Sequence, residues 1–177
     1  MSRTLGILSA ALAAVVSTGC GDSGPVEPNI PVEDIAGAYR LTALTFDPQG
    51  SLPSADVLAR LRGLGKPDPT LTLLEDGSLQ LLFEDPANVL LRLVDGSFLT
   101  TPGGVDADFG TNAAYRSLLL SRRMLFSVDG AGSLVFDGSP PDGLPQSDLI
   151  RLVTEWAGEP LTNPVPGSLR VVFGPIS

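Results

Sequence analysis

The segment Thr70–Phe83 constrains the fold more than any other stretch, because its turn sets the register of two neighbouring strands. Two apolar stretches, TLTLL and LQLLF, flank Glu75-Asp76-Gly77. A three-residue loop with Gly77 in the left-handed region aligns the apolar positions, whereas a two-residue loop would set Leu73 against Gln80 and mix the faces. The pattern therefore predicts an antiparallel hairpin whose apolar face consists of Leu71, Leu73, Leu79, Leu81 and Phe83.

Short apolar segments joined by Asp-Gly turns recur along the chain. Residues 95–97 are predicted to form a turn between two such segments, and the Gly-rich stretch 129–132 separates another pair. In that second hairpin, the spacing predicts Phe126 opposite Phe136 and Val128 opposite Leu134. Repeated segments of this kind are typical of an antiparallel meander.

Three further segments complete the predicted sheet. Residues 37–46 alternate like a half-buried strand, with Tyr39, Leu41 and Ala43 on one face, and residues 105–109 and 169–173 also have strand patterns. The sequence thus predicts a mainly β domain with about eight to nine short strands. Residues 113–121 fit either a helix or a strand.

Two short helices are expected beside the sheet. Ser54 is predicted to cap a helix over residues 54–64, and Ser147 to cap a second helix that ends near Gly158. Trp156 falls on the apolar face of the second helix. It is interpreted as a core or lid anchor, with an aromatic platform for a ligand as the alternative.

The N-terminus has the pattern of a bacterial export signal. Arg3 is followed by an apolar run over residues 5–16 and then by small polar residues up to Cys20. The run is shorter than the roughly 20 apolar residues that a membrane-spanning helix needs. Residues 1–19 are therefore predicted to be a signal peptide, not a permanent span.

Thr18-Gly19-Cys20 resembles the lipobox of bacterial lipoproteins, although Ser17 stands where that family usually has an aliphatic residue. The resemblance implies cleavage before Cys20, lipidation of its thiol and attachment to a membrane without spanning it. An ordinary signal peptide that leaves a free thiol is the alternative. Gly21 follows the cysteine, which by the same resemblance implies the outer membrane of the cell envelope more than the inner one.

Residues 20–31 are predicted to be the lipidated cysteine and a flexible tether, since GDSGPVEPNIP has three prolines and no apolar periodicity. Residues 32–177 then form the folded domain. The net charge of the chain is −9 and becomes one unit more negative when Arg3 is removed with the signal peptide. Such an acidic protein is not expected to bind nucleic acid.

The residue inventory excludes several kinds of catalytic site. The chain has no histidine and one cysteine, so His-based metal sites, Ser-His-Asp triads and internal disulfides are impossible. Asp106 and Asp108 could meet a calcium ion, but a solvated acidic turn is the preferred interpretation. Lys66 is predicted to lie in an exposed linker, a poor place for a catalytic Ser-Lys pair. No catalytic residue, metal or cofactor is predicted.

The predicted layout resembles the lipocalin family and its bacterial lipocalin-like relatives. The resemblance is carried by Gly37-Ala38-Tyr39 at the start of the first strand, a meander, a helix and a last strand. It implies a small barrel of eight strands in which Gly37 and Tyr39 lie at the closed end. It also implies that Arg170, from the last strand, packs across the Tyr39 ring.

Two main hypotheses for function follow from this fold. In the first, a lipid-anchored, non-enzymatic envelope protein holds an apolar ligand, an acyl or polyprenyl chain, among Tyr39, Leu41, Leu73, Leu81, Phe83, Phe126 and Phe136. In the second, the barrel is filled by its own side chains and serves as a structural or protein-interaction module. A carboxylate-dependent hydrolase is a remote third hypothesis. The sequence identifies no protein partner.

Overall fold

The structure is a computed structural model that describes residues 27–140 and 143–176. The predicted signal peptide, Cys20 and the tether up to residue 26 lie outside the described residues. The first element begins at Val32, with a one-turn helix that leads into the first strand.

Nine strands in the described part of the chain form one antiparallel sheet, and eight of them close into a barrel. The strands are β1 (Gly37–Pro48), β2 (Ala55–Asp56), β3 (Thr70–Leu73), β4 (Ser78–Glu84), β5 (Leu91–Thr101), β6 (Gly104–Asp108), β7 (Arg123–Val128), β8 (Leu134–Gly138) and β9 (Gly167–Pro175). Strand β1 pairs with β3, each strand from β3 to β8 pairs with the next one, and β9 pairs with β1 to complete the circle. The short β2 pairs only with the end of β1. The predicted closed antiparallel meander is thereby confirmed.

The β3–β4 hairpin has the predicted register. Leu71 lies opposite Leu81 and Leu73 lies opposite Leu79, with all four side chains buried. Gly77 adopts a φ of 81°, in the left-handed region where glycine is favoured. The three-residue loop is confirmed.

A bulge in β1 changes which residues face the interior. The pairing of β1 with β9 shifts between Leu41 and Ala43, so that Leu44 and Phe46 are the next buried residues. The prediction that Ala43 points inward is therefore wrong, because the extra residue moves the alternation by one position.

The predicted turn at residues 95–97 is also wrong, since β5 runs without interruption through Asp95, Gly96 and Ser97. Gly96 is needed there for a different reason. A Cβ atom at this position would overlap the carbonyl oxygen of Asp108 on the neighbouring strand β6. The glycine permits the close approach of two strands instead of reversing the chain.

The β7–β8 pairing is the shortest contact between consecutive strands of the barrel wall. It comprises only Ser127 with Val135 and Val128 with Leu134, the second pair as predicted. Phe126 and Phe136 lie beyond this ladder, but their rings meet edge-to-face with centroids 6.3 Å apart. Above these residues the two strands separate.

The helices are short and differ from the predictions in where they begin. The helices are α1 (Val32–Ile35), α2 (Val57–Gly63), α3 (Gln146–Leu152) and the 3-10 helices Ala113–Leu118 and Thr154–Trp156. Helix α2 is capped by Asp56, whose Oδ1 accepts a hydrogen bond from the Ala59 amide at 2.9 Å, and not by Ser54. Helix α3 begins after Pro145 without a side-chain cap, so the Ser147 cap is also wrong. Residues 113–118 form a 3-10 helix, which resolves the ambiguous segment.

The strand directions give the barrel two different ends. The lower end carries α1 and the tight connections 74–77, 102–103 and 129–132. The upper end carries the longer connections 49–69, 85–90, 109–122 and 139–166, which include α2, α3 and both 3-10 helices. The hydrophobic core continues from the barrel into the layer beneath these helices.

Candidate functional site

The predicted ligand-lining residues lie in the barrel core and are largely inaccessible to solvent. They come from β1, β3, β4, β7 and β8: Tyr39, Leu41, Leu73, Leu81, Phe83, Phe126 and Phe136. All except the half-buried Phe136 expose 6% of their surface or less. Because a ligand-sized cavity would admit water and expose the side chains around it, this burial indicates an interior filled by the protein's own side chains.

The barrel-end arrangement differs from the one that the lipocalin resemblance implies. Tyr39 lies at the lower end, where its hydroxyl donates a hydrogen bond to the Ile35 carbonyl oxygen at 2.7 Å, and burial raises its pKa. Gly37 is exposed at the start of β1. Arg170 pairs with Asp137 on the outer face, with Nη1 2.6 Å from Oδ2, opposite Thr45. It does not cross the Tyr39 ring, which α1 covers instead.

Trp156 belongs to the core at the upper end. Its side chain is 2% exposed, and its ring centroid lies 6.2 Å from that of Phe46 on β1. The core interpretation is confirmed, and the ring offers no open face for a ligand.

Asp106 and Asp108 share the outer face of β6, as their spacing predicts, but both carboxylates form ion pairs with arginines. Asp108 Oδ1 accepts hydrogen bonds from the Gly110 amide at 2.8 Å and from Arg122 Nε at 3.2 Å. These bonds, that of the Gly110 amide first, hold the pKa of Asp108 below its usual range. The described residues include no group of three potential metal ligands.

Lys66 is not exposed as predicted. Its side chain is 10% exposed, and its ammonium group lies 2.5 Å from Glu84 Oε1 and 2.6 Å from the Asn88 carbonyl oxygen. The lysine thus ties the end of α2 to the β4–β5 connection. These two contacts support a structural role for Lys66.

A surface cleft of about 510 Å³ opens at the upper end of the barrel. Its walls are the 3-10 helix and start of β7 on one side and the segment before α3 on the other. Its lining residues are Tyr115, Arg116, Leu119, Leu120, Ser121, Arg122, Arg123, Gly143, Leu144, Pro145 and Asp148. It combines an apolar floor with three guanidinium groups.

The backbone that forms this cleft is strained at one point. Leu119 has a φ of 59°, the one positive φ of a residue other than glycine in the described chain. Bulky residues avoid this region, and they keep it where surrounding packing holds them. Leu118, Leu119 and Leu120 are all buried, so this turn packs three consecutive leucines under the cleft.

The charges in the cleft are partly neutralised. Arg116 Nη2 donates to Asp148 Oδ2 at 3.1 Å, and Arg122 pairs with Asp108. Arg123 has weaker contacts, with Nη2 3.6 Å from Asp106 Oδ2 and Nε 3.9 Å from Asp108 Oδ2, and its side chain is 65% exposed. Arg123 therefore forms looser ion pairs with these two carboxylates than Arg122 forms with Asp108.

This cleft was not predicted from the sequence. Five of its eleven lining residues come from the segment 113–121, for which helix and strand were both left open, and four lie more than twenty residues further along the chain. The adjacent Arg122 and Arg123, at the start of a strand, were the sequence feature that could have indicated this cleft.

A second surface feature of the upper end is an apolar patch on the β4–β5 connection. Its residues are Leu82, Val89, Leu90, Leu91 and Leu93, all of which are exposed. Val89 is 83% exposed. Contiguous apolar residues on a surface are typical of interaction sites.

Comparison of the chain with protein-family models, curated proteins and solved structures finds no match. Among the described residues, none of the helices has the length and apolar character required to cross a bilayer.

Proposed function

We propose that this protein is a lipid-anchored, non-enzymatic protein of the bacterial cell envelope, in which a filled β-barrel serves as the scaffold of an interaction module. The observation that carries the proposal is the packing of the barrel interior. Leu41, Leu81 and Phe173 have no accessible surface. A filled barrel favours an interaction module over a carrier that encloses an apolar ligand.

The charged groups support a binding role over a catalytic one. The carboxylates of Asp85, Asp108 and Asp148 are each paired with an arginine. Catalytic acids are usually found where burial or a like charge raises the pKa toward neutrality. Here the pKa values of Asp85 and Asp108 are lowered; burial alone would raise that of Asp85, but bonds from the Ala87 amide and Arg92 outweigh it.

The proposed anchor gives the barrel an orientation. The Ile30 amide donates to the Thr101 carbonyl oxygen at 3.3 Å, so the chain enters the folded part at the lower end. The residues between Cys20 and Ile30 span at most about 35 Å when fully extended. The lower end therefore faces the membrane, and the upper end, with its cleft and apolar patch, faces away and is accessible to a partner. By the resemblance of Gly21 and its neighbours, that membrane is the outer one.

The anchor is tested with Cys20→Ala, expressed in a bacterial host. The variant is expected to lose radiolabelled fatty acid and to leave the membrane fraction, because Cys20 is the single thiol in the chain. Separation of inner and outer membranes of the unmodified protein checks the expected location. Membrane partition that is unchanged in the variant would contradict the anchor.

The filled barrel is tested by organic extraction of the protein purified from its native host, followed by mass spectrometry. Apart from the N-terminal acyl chains, no lipid is expected in stoichiometric amount. A stoichiometric acyl or polyprenyl chain would favour the carrier hypothesis and would require the interior to open.

A further inference from the structure

Strand β5 extends beyond one of its neighbours at the upper end of the barrel. On one side, β4 pairs with residues 91–97 of β5. On the other side, β6 pairs only with residues 97–101. Among the described residues, the segment 91–96 therefore has an unpaired edge on the side of β6. An edge of this kind is a template for pairing with another chain.

The backbone groups that face the unpaired edge follow from the hydrogen bonds beside it. The Phe98 amide donates to the Gly77 carbonyl oxygen at 2.8 Å, on the side of β4. Because the backbone groups of successive strand residues point to alternate sides, the amides of Leu91 and Leu93 point away from β4, toward the unpaired edge. The Asn112 side chain agrees with this direction, since its Nδ2 donates to the Leu93 carbonyl oxygen at 3.3 Å.

The side chains beside the unpaired edge are apolar. Leu91 and Leu93 point outward and are 67% and 47% exposed. Leu82 lies opposite Leu93 on β4, and Val89 and Leu90 continue the apolar patch along the β4–β5 connection. A strand added to the edge would place its own side chains beside Leu91 and Leu93 and remove apolar surface from water.

An exposed carboxylate lies at the other end of the unpaired edge. Asp95 accepts a hydrogen bond from Gln80 Nε2 at 3.1 Å, and among the described residues no lysine or arginine forms an ion pair with it. Asp85, in contrast, is paired with Arg92. A basic residue of a partner would match Asp95 in charge. In an antiparallel pair, that residue comes before the residues that lie beside Leu93 and Leu91.

We propose that the unpaired edge of β5 binds an extended segment of a partner protein by antiparallel strand addition. The segment has a basic residue beside Asp95, followed by alternating aliphatic residues beside Leu93 and Leu91. A second copy of the chain fits less well, because self-pairing about Leu93 sets Leu91 opposite Asp95 and supplies no cation there. The net charge of −9 on each chain also opposes self-association. This strand addition rests on the interaction module proposed above and specifies the chemistry of its partner.

The test is a titration of the purified chain with the peptide acetyl-KTLTLT-amide, followed by two-dimensional NMR and amide hydrogen exchange. Binding is expected to shift the amides of residues 89–96 and to slow exchange at Leu91 and Leu93, because peptide carbonyl groups accept hydrogen bonds from them. Two N-methylated peptides are matched probes. Methylation of both leucine nitrogens, which face the edge, is expected to weaken binding about tenfold or more. Methylation of the threonine nitrogens that precede the leucines, which face away, is expected to have little effect.

The charge match is tested with Asp95→Asn. This variant is expected to bind acetyl-KTLTLT-amide about two- to fivefold more weakly, the range for an exposed ion pair, and to bind acetyl-QTLTLT-amide as the unmodified chain does. The matched control is Asp137→Asn, which removes an exposed carboxylate of β8 outside the edge. Amide spectra and thermal melts check that both variants are folded.

Several results would overturn the strand addition: no binding at millimolar peptide, equal binding of the two methylated peptides, or equal loss in the two variants. Self-association of the chain alone in sedimentation equilibrium, with shifts at the same amides, would overturn it in favour of a second copy. Shifts that phosphatidylglycerol vesicles produce and the peptide does not would assign the edge to a bilayer. The anchor and the filled barrel would stand in each case, because Cys20→Ala and organic extraction test them separately.

Discussion

The two ends of the barrel differ in the length of their connections and in the charge of their side chains. The lower end consists of tight turns and α1, and its charged side chains are all acidic: Glu33, Asp34, Glu75, Asp76 and Asp129. The upper end consists of long connections and carries most of the cations: Arg60, Arg62, Lys66, Arg92, Arg116, Arg122, Arg123 and Arg151. The upper end also holds the apolar patch and the arginine cleft.

The tight turns that join neighbouring strands and the long connections with exposed side chains thus lie at opposite ends of the barrel. Short hairpin turns leave no room for side chains beyond those that close the strands. Longer loops can carry exposed residues and bring distant segments together, and this is why binding sites are frequently found on loops held by a rigid scaffold. The barrel wall between the ends must then be rigid for the upper surface to keep its shape.

The largest expected effect is a loss of stability caused by truncating a side chain in the barrel wall. Leu81→Ala removes a fully buried side chain of β4 and is expected to lower the free energy of unfolding by about 2–5 kcal/mol. Val89→Ala, an aliphatic truncation in the exposed upper patch, is expected to change it by less than about 0.5 kcal/mol. Urea unfolding of both variants measures the difference.

The neighbouring residue provides the register control for this prediction. Gln80 points outward and donates to Asp95 Oδ1 at 3.1 Å, so Gln80→Ala is expected to be nearly neutral. If Leu81→Ala and Gln80→Ala were equally costly, the alternation of β4 would be wrong. If Val89→Ala were as costly as Leu81→Ala, the upper patch would be part of the core and not a surface.

A smaller loss of stability is expected for a substitution at Gly96, where two strands of the wall come close together. Gly96→Ala would push a methyl group into the Asp108 carbonyl oxygen and is expected to cost about 1–3 kcal/mol. Gly130→Ala at a lower turn, where a Cβ atom meets nothing within 4 Å, is the control and should be close to neutral. Thermal melts compare them, and a neutral Gly96→Ala would show that β5 and β6 can separate without loss.

The same residues show which features of the fold could be predicted from the sequence and which could not. The β3–β4 hairpin was predictable because its turn chemistry and its alternation agree on one register. The turn at residues 95–97 was predicted wrongly because Gly96 serves a contact with β6 that is invisible from β5 alone. The inward position of Ala43 was wrong for a similar reason, since a bulge has no local pattern here.

The candidate site was less predictable than the fold. The interior residues were identified from alternation, but whether they enclose a space depends on how closely opposite walls approach, which alternation does not record. The cleft brings Arg123 together with Leu144, which belongs to a later connection of the chain that the strand pattern does not relate to β7. Arg170 was assigned by analogy to the wrong face, because its outward position follows from the register of β9 with β1.

The smallest expected effect is on stability at low pH. One aspartate at each end has a lowered pKa, and the physical cause differs between the two ends. At the upper end, the hydrogen bond from Arg62 lowers the pKa of Asp68 from 3.8. At the lower end, the side chain and amide of Ser78 lower the pKa of Asp76 from the same value. In both cases the folded protein binds protons less readily than the unfolded chain, so the stabilisation is present above about pH 4 and is lost as the pH falls through the folded pKa values.

Carbon-detected NMR titration of the aspartate carboxyl groups separates the two causes. Arg62→Gln is expected to raise the pKa of Asp68 toward 3.8 and to leave that of Asp76 unchanged, whereas Ser78→Ala should raise the pKa of Asp76 alone. High salt should reproduce part of the first effect and little of the second, because salt screens an exposed guanidinium group but does not break a turn's hydrogen bonds. If salt shifted the two carboxyl groups equally, the lower end would depend on long-range charge as much as the upper end does, and the contrast between them would fail.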